Sequence, residues 1–101
     1  MKAKVDKEKN SILILNFERK PEEAVFKKIV QSLKNSSSVK ITRTIMGPSE
    51  DIVKAKYGED DIFLCYDIDY GICPIRCEGD SLNDVYKIIE KVLESDETYE
   101  A

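Results

Sequence analysis

Asp61-Ile-Phe-Leu-Cys-Tyr-Asp-Ile-Asp-Tyr-Gly-Ile-Cys-Pro-Ile-Arg-Cys-Glu78 is a pair of β-rich runs meeting at Tyr70-Gly71. Alternation on both sides of a glycine turn predicts a β-hairpin over 61–78. A two-residue turn pairs Ile68 with Cys73, Tyr66 with Ile75 and Leu64 with Cys77. That register gathers Ile62, Leu64, Tyr66, Ile68, Cys73, Ile75 and Cys77 on one face. Phe63, Cys65, Asp67, Asp69, Ile72, Pro74, Arg76 and Glu78 fall on the other. A slip of one residue would send Arg76 and Glu78 into the core, so the pattern itself selects the register. Pro74 cannot donate to a ladder, which predicts an edge strand or an outward-pointing nitrogen there.

Working outward, Ser81-Leu-Asn-Asp84 has the spacing of a helix-capping box, with Asp in place of Glu. Leu82, Val85, Tyr86, Ile89, Val92 and Leu93 then recur at helical spacing, predicting a helix over about 81–94 and a frayed tail over 95–101. Upstream, Val53, Ala55 and Tyr57 alternate with Lys54 and Lys56, which favours a strand over 49–58 against a helix bounded by Ser49 and Gly58. Val39–Met46 alternates and is rich in β-branched residues, hence another strand, ended by Gly47-Pro48. Pro21 opens a helix over about 21–34, with Glu22 and Glu23 in its first turn and Val25, Phe26, Ile29, Val30 and Leu33 as its core face. The apolar run Ser11–Phe17 is a strand that pairs with Ala3–Asp6 through the Lys7–Asn10 turn. The sum is an α+β domain over 1–101: an antiparallel sheet of four to five strands with two helices on one face.

A chain of 101 residues is near the commonest size for one domain. Its 42% hydrophobic and 36% charged content suits a packed core under a solvated surface. No run approaches the roughly 20 apolar residues of a membrane span, and the charged start lacks the apolar segment of a secretory signal. Both predict the cytoplasm. Three cysteines, an odd number, agree. The net charge of −4 is unevenly spread: residues 1–58 hold 13 Lys/Arg against 7 Asp/Glu, while residues 59–84 hold only Arg76 against eight acids. Such segregation steers partners and says nothing about fold.

Catalytic chemistry finds little to work with. The chain has no histidine, which excludes a Cys–His nucleophile pair and any zinc site containing histidine. In the expected register Cys65 points away from Cys73 and Cys77, and the latter two lie roughly 13 Å apart along one strand. No pair then meets the Cα separation below about 7 Å that a disulfide requires. Asp67, Asp69 and Glu78 occupy positions 1, 3 and 12 of a calcium loop, but glycine falls at position 5 and the flanks are strands. Asp67 and Asp69 also have the spacing of a carboxylate pair, yet a hairpin end is convex and wet. Neither a phosphate-binding glycine loop nor a nucleophile elbow is present. The expectation is a protein without enzymatic activity, cofactor or metal.

What remains is binding. The outward face of the hairpin combines Phe63 and Ile72 with Asp67, Asp69 and Glu78; Asp60, Asp61 and Tyr70 adjoin it. Apolar anchors rimmed by acids form a docking patch. The basic residues of the N-terminal half offer nucleic-acid binding as a weaker alternative, disfavoured by an isoelectric point near 4.9. Burial of Phe63 and Ile72 in a homodimer or general interaction module is the other alternative. In layout, residues 39–94 resemble the small bacterial immunity proteins of contact-dependent growth-inhibition systems: an acidic C-terminal half, a β-meander ending in Asp67-Ile-Asp-Tyr-Gly71 and a final amphipathic helix. The resemblance implies a cytoplasmic inhibitor that binds a cognate, cationic, nuclease-like toxin domain. No site residue carries over by motif.

Overall fold

The computed structural model describes residues 1–95. In chain order it contains β1 (Lys2–Asp6), β2 (Ser11–Leu15), α1 (Glu22–Asn35), β3 (Val39–Met46) and β4 (Glu50–Tyr57). Then come β5 (Asp60–Asp67), β6 (Gly71–Ile72), β7 (Ile75–Cys77), a tight helical turn (Gly79–Ser81) and α2 (Leu82–Ser95). The strands form one antiparallel sheet in the order β1-β2-β7-β5-β4-β3, with β6 also beside β5. It holds more strands than the four to five expected, the return strand of the hairpin being split in two. Residues 49–58 are extended, as the alternation predicted. Ser95 still belongs to α2, its hydroxyl donating to the Lys91 carbonyl at 2.9 Å. The rest of the tail expected over 95–101 lies outside the described residues.

Both helices cover the same face of the sheet. α2 lies over β1 and β2, α1 over β3 and β6, and the two helices touch. Period-2 alternation in the strands meets period-3.6 stripes in the helices. Val53, Ala55, Ile62, Leu64, Ile75 and Cys77 from the sheet therefore join Val25, Ile29, Leu33, Val85 and Ile89 from the helices in one core. Phe26 and Tyr66 close it at one end, ring centroids 5.9 Å apart. No helix among the described residues is long and apolar enough to cross a membrane.

The hairpin forms, but in another register. Tyr66 pairs with Ile72 and Asp67 with Gly71, leaving a three-residue turn, Ile68–Tyr70, where a two-residue one was expected. Ile62 pairs with Cys77 and Phe63 with Arg76, so the return strand gains one residue at Cys73-Pro74. That break shifts alternation between β6 and β7. Ile72 consequently faces the helices, 8% exposed, and Ile68 stands in solvent; both were expected on the opposite sides. Asp67 decides the turn. Its Oδ1 accepts the backbone N–H groups of Asp69 at 2.8 Å and Tyr70 at 3.1 Å, so the side chain replaces a backbone turn partner. Pro74 is not in an edge strand: β7 lies between β2 and β5, and Pro74 sits in the break before it.

Candidate functional site

The register sends the expected docking residues to four places. Asp67, Asp69 and Tyr70 stay together in the β5–β6 turn. Ile72 is in the core. Phe63 lies half-buried on the helix-free face, between Lys54 on β4 and Arg76 on β7. Asp60 and Asp61 begin β5 and Glu78 follows β7, so these acids sit at the far end, roughly 23 Å from Asp67 at the rise of a strand. One continuous acidic hairpin patch therefore does not exist.

The far-end acids have structural partners. The Asp60 carboxylate accepts the Ser81 N–H at 3.1 Å and the Ser81 hydroxyl, closing the turn that leads into α2. Asp61 pairs with Lys56 at 3.6 Å, and its carbonyl accepts the Glu78 N–H at 2.9 Å. A wide hollow of about 630 Å³ at this end sets Asp6 and Glu78 beside Lys9 and Arg76. Its lining balances two acids with two bases.

The Asp67 end is different. Antiparallel pairing of Glu50 with Asp67 brings the β3–β4 turn alongside the β5–β6 turn, and Ile68 N–H donates to the Ser49 carbonyl at 2.9 Å. The β2–α1 loop ends at the same edge of the sheet, held where Asn16 Nδ2 donates to the Lys20 carbonyl and Lys20 N–H returns to Asn16 Oδ1, both at 2.9 Å. α1 starts there too, its Glu22 Oε1 accepting the Ile72 N–H at 3.0 Å. Every large apolar side chain exposed among the described residues belongs to this end: Tyr70 at 88%, Phe17 at 85%, Met46 at 67%, Ile68 at 64% and Ile45 at 37%.

Carboxylates rim one of these anchors, Ile68. Glu23, Glu50 and Asp51 join Tyr66, Ile68 and the Gly47–Ser49 turn around a cleft of about 180 Å³. Burial first, then the negative charges of Glu23, Glu22, Asp51 and Asp67, push the Tyr66 phenol above its ordinary value. The phenol is thus a neutral donor facing a negative field across the physiological range. Sequence reasoning found Asp67, Asp69 and Tyr70 but missed Ile68, Met46, Phe17, Glu50 and Asp51. Met46 and Glu50 flank the Gly47-Pro48 turn signal, and a turn signal adjoining an apolar residue is the one clue that pointed there.

On the helix-free face, Arg76, Phe63, Lys54 and Arg43 stand opposite one another across four strands. Beside that basic row, Cys65, Ile52 and Ile45 form an apolar one. No protein-family model, curated protein or solved structure matches the chain.

Proposed function

We propose that this chain is a non-catalytic protein-binding domain that docks a cationic protein on the Asp67 end of its sheet. The observation that carries the reading is the exposure of Tyr70, Ile68, Met46 and Phe17 at one end of the sheet, where carboxylates line the cleft beside Ile68. Apolar anchors within a charged rim are the anatomy of a binding patch: the rim steers encounter and the anchors slow dissociation. The Asp67 carboxylate fixes the backbone of the turn that carries Tyr70 before any partner arrives, which lowers part of the ordering cost of docking. On the resemblance of its sequence layout to immunity proteins, the role proposed is that of an inhibitor of a cationic, nuclease-like toxin domain. Acidic side chains on a rigid tip suit a surface that normally receives phosphates.

The test is capture from native lysate with three forms of the chain. The wild type retains a basic protein. Ile68→Asp with Tyr70→Ala weakens its binding by about 30-fold or more, as loss of two anchors does. Phe63→Ala on the helix-free face leaves it unchanged. Loss of the partner from the Phe63 variant, with the Ile68/Tyr70 variant unaffected, sinks the assignment. So does a partner of acidic isoelectric point.

The row of Arg76, Phe63, Lys54 and Arg43 supports a second reading, a single-stranded nucleic acid lying on the helix-free face with one base on Phe63. Titration with a fluorescent single-stranded oligonucleotide separates the two. The protein-binding reading expects no saturable binding at physiological salt.

A further inference from the structure

The corrected hairpin register also changes the chemistry of the cysteines. Tyr66 pairs with Ile72, so one further step sets Cys65 directly opposite Cys73, and Cys73 N–H donates to the Cys65 carbonyl at 2.9 Å. Facing residues of a hydrogen-bonded antiparallel pair, as these are, have Cα atoms about 5.5 Å apart. A disulfide spans about 4.4–6.8 Å. Ile72 faces the core, which turns Cys73 to the helix-free side, where Cys65 also points. We propose that Cys65 and Cys73 form a redox-active dithiol that small disulfides oxidise to an intrachain disulfide across β5 and β6. The pair adjoins the docking end, since the Cys65 thiol reaches the Glu50 carboxylate at 3.8 Å, but the proposal stands whether or not that end binds a partner.

The two thiols differ in access, and that difference sets their roles. Cys73 is half-buried while Cys65 is 6% exposed. Burial first, then the adjoining Cys73 thiol and the Glu50 carboxylate, push the Cys65 thiol up to about 12. Cys73 is therefore the attacking sulfur. Its thiolate attacks one sulfur of the small disulfide, whose S–S bond breaks to release one thiol and leave a mixed disulfide on Cys73. Cys65 then gives up its proton and attacks the Cys73 sulfur, displacing the second thiol. Two protein thiols are oxidised, one small disulfide is reduced to two thiols, and the two protons end on the released thiols. Cys77 takes no part: it is fully buried on the helix side.

The experiment exposes the reduced full chain to oxidised glutathione and digests it with trypsin after blocking free thiols. Cleavage after Lys56 and Arg76 puts Cys65 and Cys73 in one peptide and Cys77 in the next. The expected product is the 57–76 peptide lighter by two hydrogens with Cys77 blocked, so that titratable thiols fall from three to one. Cys65→Ser should stop at a stable glutathione adduct on Cys73, and Cys73→Ser should react with neither partner. A persistent adduct on the wild-type chain, a bond to Cys77, a bond between two chains, or three unreacted thiols each overturns the proposal.

Discussion

The two ends of the sheet are built on the same device and put to different uses. At each end a glycine with positive φ sits beneath a carboxylate that takes a backbone N–H. Gly79 (φ +81°) lies under Asp60, which holds Ser81; Gly71 (φ +83°) lies under Glu22, which holds Ile72. At the Gly79 end the acid is absorbed into the fold, because it also takes the Ser81 hydroxyl and anchors α2. At the Gly71 end, Glu22 holds the turn from behind while Tyr70 and Ile68 project in front. The lesson is that a carboxylate count along the sequence does not measure negative surface. A carboxylate already committed to an N–H and a hydroxyl has little left for a partner.

Glycine replacement breaks the comparison most forcefully. Gly79→Ala adds a left-handed strain of roughly 1–2 kcal/mol and drives a methyl group into the Asp60 carboxylate. Asp60 belongs to the start of a central strand, so it cannot swing clear without releasing Ser81. The total loss is about 2–4 kcal/mol, read as a lower urea midpoint at unchanged slope. Gly71→Ala carries the same strain, but the longer Glu22 side chain can move aside at the loss of one bond, from the Ile72 N–H, where Asp60 gives up two. Its cost is about 1–3 kcal/mol, the strain plus one hydrogen bond. If the two variants lose equal stability, the Asp60 end is no more committed than the Glu22 end, and the distinction drawn between them fails.

Most of the fold was legible because alternation and helical stripes are written into local sequence. Val53, Ala55 and Tyr57 showed a strand, and Leu82, Val85, Ile89 and Leu93 a helix, without knowledge of neighbours. The hairpin register was not legible, since Asp67 decides it through a side-chain bond to Asp69 and Tyr70 that competes with the favoured two-residue turn. One residue of difference then moved Ile72 inward, Ile68 outward, and Cys73 opposite Cys65. The candidate site was half legible for a related reason. Tyr70, Asp67 and Asp69 are neighbours in sequence, whereas Met46, Glu50 and Phe17 reach the same end only through strand order, which depends on long-range pairing.

Titration sharpens the contrast from the buried side. Burial, and after it the negative charges of Asp60, Asp84 and Glu78, push the Cys77 thiol up to about 11 from an ordinary value of 9.0. A raised value in the folded state means that the unfolded chain releases this proton first. The contribution is therefore intact below pH 9.0 and is lost as pH climbs from there toward about 11. Removing the charge beside it, as in Asp60→Asn, should lower the folded-state value and narrow that window from above, whereas the same change at Asp69 should leave it alone. Cys77→Ala should remove this part of the alkaline loss while costing about 1 kcal/mol at neutral pH for the sulfur taken out of the core. Stability followed by urea unfolding at a series of pH values, with Cys65 and Cys73 replaced by alanine so that Cys77 is the sole thiol, reads the effect directly. An alkaline decline that is the same with and without Cys77 would mean that neither burial nor the charges of the Asp60 end raise this thiol.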